Sequence, residues 1–271
     1  MTQAQVTQAA AQPTPATPAR YPGDSPLVRQ FESSYNLLHP SHRDAFFMDL
    51  VLDTARTYPR PRRVLDIGCG EGVGTDPELF KRVVAESDEF WGVEPDTGIK
   101  PREGVFTNFQ HALFEDANIP DNSIDLAYSC MVMEHVQNPQ AFMSKCYRVL
   151  KPGGTYIFLT VNGAHYFAMI SNTLRMLKLD ETVLRIARPG HVVDGYHYPT
   201  AYKFNRPSQI DRTCEQLGFE KPRYVFAEHD GAKAYFPGPT RVAWKALTWK
   251  RKVVKSQRSL LELIGVIRKP G

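Results

Sequence analysis

One run constrains the chain more than any other: Val64-Leu65-Asp66-Ile67-Gly68-Cys69-Gly70-Glu71-Gly72. A β-prone apolar stretch ends in an acid and opens into a turn in which every second residue is glycine. Glycine takes positive φ without steric cost and lets a ligand come close to main-chain N–H groups. Glu94 follows about 20 residues later, closing a second apolar run, Phe90-Trp91-Gly92-Val93. That is the spacing at which a carboxylate accepts hydrogen bonds from a ribose diol. The pair implies an α/β domain that binds a nucleoside.

The dinucleotide fingerprint G-x-G-x-x-G does not fit, because its third glycine would fall on Val73. Gly70, Gly72 and Gly74 instead continue an alternating pattern. Asp66 and Glu71 would repel a pyrophosphate and would welcome a ligand carrying an ammonium and a sulfonium. The run resembles the first motif of the class I S-adenosylmethionine (SAM)-dependent methyltransferases, V-L-D-x-G-C-G-x-G. Three later stretches resemble further motifs of that superfamily's small-molecule branch, the ubiquinone- and menaquinone-methyltransferase-like enzymes. They are Pro120-Asp121-Asn122-Ser123-Ile124-Asp125-Leu126, Met133-Glu134-His135-Val136 and Arg148-Val149-Leu150-Lys151-Pro152-Gly153-Gly154. The motifs keep the superfamily's order across residues 60–162, with a weaker match through residue 228.

The resemblance implies SAM as cofactor and assigns candidate contacts. Glu94, followed by Pro95, would hold the ribose hydroxyls. The turn of Gly68, Cys69, Gly70 and Gly72 would carry the methionine portion, with backbone groups of Gly68 and Gly70 facing it and Asp66 near its amino group. Ser129 or Cys130 would offer backbone contacts to the same portion. The place of the adenine-binding acid falls on Leu113, which cannot accept a hydrogen bond. Glu115 and Asp116 are alternatives, and Phe114 offers a backbone N–H and an apolar wall.

Strands alternate with helices. Strands are expected at Arg63–Ile67, Glu89–Glu94, within Val105–His111, at Ile124–Ser129, Thr155–Val161, Tyr224–Ala227 and Leu260–Arg268. Helices are expected over Pro77–Glu86, Pro139–Leu150, and from an Asn205 N-cap to Gly218. Lys151-Pro152-Gly153-Gly154 reads as a helix stop and turn. The fold class is α/β: a doubly wound, Rossmann-like, seven-stranded, mostly parallel sheet with helices on both faces and an antiparallel last strand.

The organisation reads as a disordered tail over residues 1–22, rich in Gln, Ala, Thr and Pro; an N-terminal helical cap over 23–60; and a SAM-binding domain over 61–271. Two insertions interrupt that domain, a substrate or lid element over 164–204 and a basic helical one over 229–258. No apolar stretch approaches the length of a membrane span and the tail lacks a signal-peptide core. The four cysteines, Cys69, Cys130, Cys146 and Cys214, form no C-x-x-C pair and read as reduced structural thiols of a cytoplasmic protein. No metal site is expected.

Net charge is +4, and its location matters more than its size. Seven basic residues and no acid lie between Arg241 and Arg258; without those seven the 33 basic residues fall to 26 against 29 acidic ones, a net of −3. Val242, Ala246, Trp249 and Val253 fall on one helical face flanked by Arg241, Lys245 and Lys252. That pattern fits an anionic membrane surface, an anionic ligand, or a solvated helix packed on the core.

Methyl transfer needs in-line geometry, and a hydroxyl acceptor also needs its proton removed. Candidate bases are His135, His165, His191 and His197. His135 follows the fourth strand, near the expected reactive end of the cofactor. The stretch Arg188–Pro199, with His191, Asp194 and His197, sits where this superfamily places substrate-specific elements. Tyr35 and its aromatic neighbours could line the sulfonium. The expected function is methylation of a small-molecule or glycan- or lipid-linked acceptor, at oxygen. C-methylation of a quinone-like or natural-product substrate is the alternative, and a SAM-binding scaffold without turnover is the rival from another class. Nucleic acid is not an expected partner, since the body has no basic stripe.

Overall fold

Alternation along the buried strands sets the layers. The computed structural model describes residues 37–38, 40–72, 74, 76–165, 200–229, 242, 245–246, 249, 253 and 260–271. In β2 (Arg63–Ile67), Leu65 and Ile67 enter one hydrophobic core and Val64 the other. β5 (Ile124–Cys130) divides Ala127 from Leu126 and Tyr128 in the same way, and β6 (Leu150–Val161) divides Tyr156 and Phe158 from Ile157 and Leu159. Side chains of period two facing two apolar layers are what a sheet covered on both faces requires.

Helices α1 (Pro40–Thr57) and α2 (Pro77–Glu86) cover one face with Phe47, Leu50, Val51, Phe80 and Val83. Helices α3 (Pro139–Val149) and α4 (Pro207–Leu217) cover the other with Phe142, Met143, Cys146, Ile210 and Cys214. The starts of α2 and α3 are written locally. Asp76 and Asn138 each accept a backbone N–H three residues on, at 3.1 Å, and each precedes a proline at the first helical position.

The remaining strands are β1 (Leu37–Leu38), β3 (Glu89–Val93), β4 (Asn108–Gln110), β7 (Arg223–His229) and β8 (Glu262–Arg268), in the order β1-β7-β8-β6-β5-β2-β3-β4. β8 runs antiparallel between β6 and β7, and every other pairing is parallel. From β2 the chain moves outward to β3 and β4, then returns to β5 on β2's other side. That reversal opens a crevice beyond the C-terminal ends of β2 and β5, where open α/β sheets bind ligands.

Three local expectations are corrected. An eighth strand joins the seven: two-residue β1 pairs with the end of β7, and so short an edge strand leaves no periodic signal. Lys151–Gly154 is not a free turn but the start of β6, held by Gly153 N–H to Lys269 O at 3.0 Å and Lys269 N–H to Gly154 O at 2.9 Å. Asn205 is not the N-cap of α4. Arg206 is, with no side-chain cap bond, while the Asn205 amide donates to Thr160 Oγ1 at 2.7 Å and Val161 O at 3.1 Å. Within the helical cap expected over 23–60, α1 spans Pro40–Thr57. The tail, residues 166–199 of the expected substrate or lid element, and Tyr35, His191, Asp194 and His197 lie outside the described residues. Among the described residues no helix is long and apolar enough to cross a membrane.

Candidate functional site

The glycine turn leaves β2 at the switch point and is tied to the end of β3. Val93 O accepts from Gly68 N–H at 2.8 Å and from Cys69 N–H at 3.3 Å. Gly68 has φ +69°, and a Cβ there would lie 2.5 Å from Val132 Cγ2, so the turn packs directly on the loop after β5. Gly70 has φ +54° and a Cβ there would meet nothing within 4 Å. It is the point in the turn where a ligand can approach the backbone.

Glu94 bridges this turn to the segment after β3. Its Oε2 accepts from Gly70 N–H and its Oε1 from Asp96 N–H, both at 3.0 Å. Each carboxylate oxygen can accept more than one donor, so capacity for hydroxyls of a ligand remains. Beside Glu94 opens a cavity of ≈ 530 Å³. Gly68, Glu94, Pro95, Phe114, Glu115 and Cys130 line it, as does His135. Among the described residues its wall includes three acids, Glu94, Asp96 and Glu115, and neither lysine nor arginine.

The other proposed cofactor contacts sit behind this wall. Asp66 is buried beneath the turn, and its carboxyl accepts from Tyr128 Oη at 2.8 Å. Burial, countered by that hydrogen bond and reinforced by the charge of Glu94, pushes its pKa up to about 7. The Cys69 thiol packs toward Gly92, where a Cβ would come within 2.8 Å of its Sγ, and burial pushes the thiol up. A Cβ on Gly72 would meet the Phe106 ring at 2.7 Å. Ser129 Oγ, fully buried, shares a 2.7 Å hydrogen bond with Tyr156 Oη. Asp66, Cys69, Gly70, Gly72 and Ser129 do not line the cavity itself; Gly70 is tied to it through Glu94.

In the stretch expected to meet the adenine, Phe114–Asp116 forms a single 3-10 turn. Leu113, Phe114 and Glu115 of that region line the cavity, and Asp116 does not. Phe114 is held edge-on to Phe142, ring centroids 5.0 Å apart. Burial raises the pKa of Glu115.

His135 closes a second short turn, Met133–His135, with its N–H on Val132 O at 2.9 Å. That turn is clamped from behind through Glu134. The Glu134 carboxyl accepts from Thr160 Oγ1 at 2.7 Å, and its carbonyl accepts from Ala201 N–H and Tyr202 N–H at 2.6 and 3.1 Å. Burial pushes the Glu134 carboxyl up to about 7. His165 is buried and does not line the cavity. The pattern reading missed Asp96, Ile99, Val132 and Gln137, all on the wall. It also missed Met131, whose φ of +56° is unusual for a non-glycine residue and marks a site only once coordinates exist.

A model of a family described as methyltransferase domain matches residues 39–221. A probable SAM-dependent methyltransferase of Mycolicibacterium smegmatis is 33% identical over 103 residues, 37% of this chain and 38% of that protein. A ubiquinone biosynthesis O-methyltransferase of Aromatoleum aromaticum is 28% identical over 170 residues, 59% of this chain and 64% of that protein. The chain thus spans under two thirds of either relative. In fold it is similar to the crystal structure of a putative sarcosine dimethylglycine methyltransferase from Galdieria sulphuraria, with a TM-score of 0.52, 15% identity, and 85% and 86% of the two chains covered.

Proposed function

Since the chain belongs to the methyltransferase domain family, with S-adenosylmethionine as its cofactor, we propose that it transfers a methyl group to a small-molecule acceptor, at oxygen. The observation that carries the reading is the charge of the cavity wall. Among the described residues, Glu94, Asp96 and Glu115 line the space beside the glycine turn and no lysine or arginine does. A pyrophosphate there would be repelled, while a ligand with an ammonium and a sulfonium would be attracted.

The residues present fit such a ligand. Glu94 would accept the ribose hydroxyls while keeping its two backbone donors. The open face of Gly70 would admit the methionine portion, and Phe114 with Ile99 would form apolar walls for the adenine. Asp66 would act from beneath, setting the shape of the turn. When bound, the cofactor supplies an activated methyl on its sulfonium, so the protein's task is orientation and exclusion of water.

His135, the histidine on the wall among the described residues, would take a proton from a hydroxyl acceptor. The Glu134 clamp would fix its direction. Oxygen as the methylated atom is supported by the named activity of the ubiquinone-pathway relatives, which are also small-molecule enzymes.

Isothermal titration tests the cofactor reading: SAM and its demethylated product should bind, and NADH should not. NADH binding in their place would overturn it. Radiolabelled methyl transfer onto a panel of phenolic and catecholic acceptors tests turnover. His135→Ala should lower turnover about 100-fold with SAM affinity preserved, and wild-type turnover would remove the base role.

A further inference from the structure

We propose that the exposed helical residues Val242, Ala246, Trp249 and Val253 dock the protein onto an anionic lipid surface. Val242, Lys245, Ala246, Trp249 and Val253 are helical and exposed. Val242, Ala246, Trp249 and Val253 follow an i, i+4, i+7, i+11 spacing, which puts them on one face of a helix, in a stripe about 17 Å long. Val242 is 73% exposed, Trp249 68% and Val253 63%. Among the described residues these three and Leu113, at the cavity wall, are the only large apolar side chains so exposed. A protein that buries its apolar residues elsewhere and exposes three in register has a surface awaiting an apolar medium.

Charge selects the medium. Seven basic residues and no acid stand between Arg241 and Arg258, whereas the rest of the chain is net −3. Lys245, helical and exposed, is the described cation within this stretch, and the sequence around it adds Arg241, Lys250, Arg251 and Lys252. Cations bordering an aliphatic stripe match anionic headgroups lying above acyl chains, and an indole such as Trp249 suits the boundary between them. Nucleic acid would engage the cations but would leave Val242 and Val253 in water. The segment connects β7 to β8, so docking there would not disturb the sheet.

The test is sedimentation of the full chain with vesicles of phosphatidylcholine alone or mixed with phosphatidylglycerol at roughly 7:3, at low and high salt. Mixed vesicles should bind at least tenfold more tightly than neutral ones at low salt. The double variant Val242→Asp with Val253→Asp should lose about tenfold of that affinity, and Lys245→Glu with Lys252→Glu a comparable amount. Because the two valines are exposed, the thermal unfolding midpoint of the first variant should stay at the wild-type value, separating lost docking from lost folding. Equal pelleting with both vesicle types, undiminished binding by the valine variant, or binding to duplex DNA without binding to vesicles would each overturn the proposal.

Discussion

The two ends of the sheet treat their acids differently, although one pair, Arg43 with Glu262 at 3.2 Å, also stands at the C-terminal end of β6. At the N-terminal end of the strands each acid meets a cation. Glu89 pairs with Arg63 at 2.6 Å, Asp125 with Lys151 at 2.7 Å, Asp88 with Arg60 at 2.9 Å and Glu86 with Arg56 at 3.0 Å. Hydrogen bonds from these partners hold Glu86 and Glu89 below the usual carboxylate range, and a backbone N–H of Arg62 does the same for Asp88. At the C-terminal end Asp66 and Glu134 are buried on neutral hydroxyl donors and are pushed up to about 7, and among the described residues the cavity wall carries Glu94, Asp96 and Glu115 without lysine or arginine. A second cavity of ≈ 300 Å³ lies at the N-terminal end, lined by Arg62, Arg63, Glu89 and Lys151. Its cations are answered by acids beside it. Concavity therefore does not distinguish the ends; charge left for a ligand to neutralise does.

The largest effect expected from this difference is on stability against pH, where the two ends work in opposite directions. Asp66 and Glu134 hold their protons more tightly folded than unfolded. Their favourable contribution is complete below about pH 4 and is lost as pH rises through about 7. The lowered carboxyls Glu86, Asp88 and Glu89 contribute at neutral pH and lose that contribution as pH falls below the ordinary carboxylate range. Asp66→Asn keeps an acceptor for Tyr128 and removes the buried ionisation. It should raise stability at pH 8 relative to wild type by on the order of 2–4 kcal/mol and leave pH 4 nearly unchanged. Chemical denaturation at the two pH values measures this, and a variant that tracks wild type at both would break the contrast.

Ligand affinity sharpens it next. Glu94→Ala removes the acceptor of two backbone N–H groups and the proposed ribose partner, so SAM affinity should fall by about 1.5–3 kcal/mol, roughly 10- to 150-fold. Glu89→Ala at the other end breaks the Arg63 pair, should cost under about 1 kcal/mol of stability and should leave SAM affinity as it is. Titration calorimetry on both variants decides. Equal losses would mean that Glu94 acts through general stability and not as a ligand contact.

How much of this was legible beforehand follows from the range of the interactions. β2, with its turn, and α2 coincide with their expected bounds because period, proline and cap are all written within a few residues. The lining positions of Gly68, Glu94, Pro95, Phe114, Glu115, Cys130 and His135 were readable from motif order. What stayed hidden depends on contacts far apart in sequence. Asn205 reads as a cap but serves Thr160 and Val161 across 45 and 44 residues. The clamp on Glu134 joins β6 and residues 201–202, and the acids Glu94, Asp96 and Glu115 share one cavity wall only once their segments converge.

Glycine provides the finest division between the ends. Gly70 in the site turn and Gly153 at the start of β6 both have positive φ, +54° and +77°. Both have room for a methyl group: nothing lies within 4 Å at Gly70, and the nearest atom at Gly153 is Arg268 Nη2 at 3.5 Å. Alanine at either position therefore meets the same backbone penalty and no packing clash, a stability loss of about 1–2 kcal/mol. The added methyl differs in where it points. At Gly70 it would stand in the open face beside the N–H that Glu94 holds, in the space proposed for the methionine portion. SAM affinity should fall severalfold for Gly70→Ala and stay at the wild-type value for Gly153→Ala, with equal shifts in unfolding midpoint. Matched losses of affinity in the two variants would reduce the glycine turn to a structural corner and remove Gly70 from the proposed methionine site.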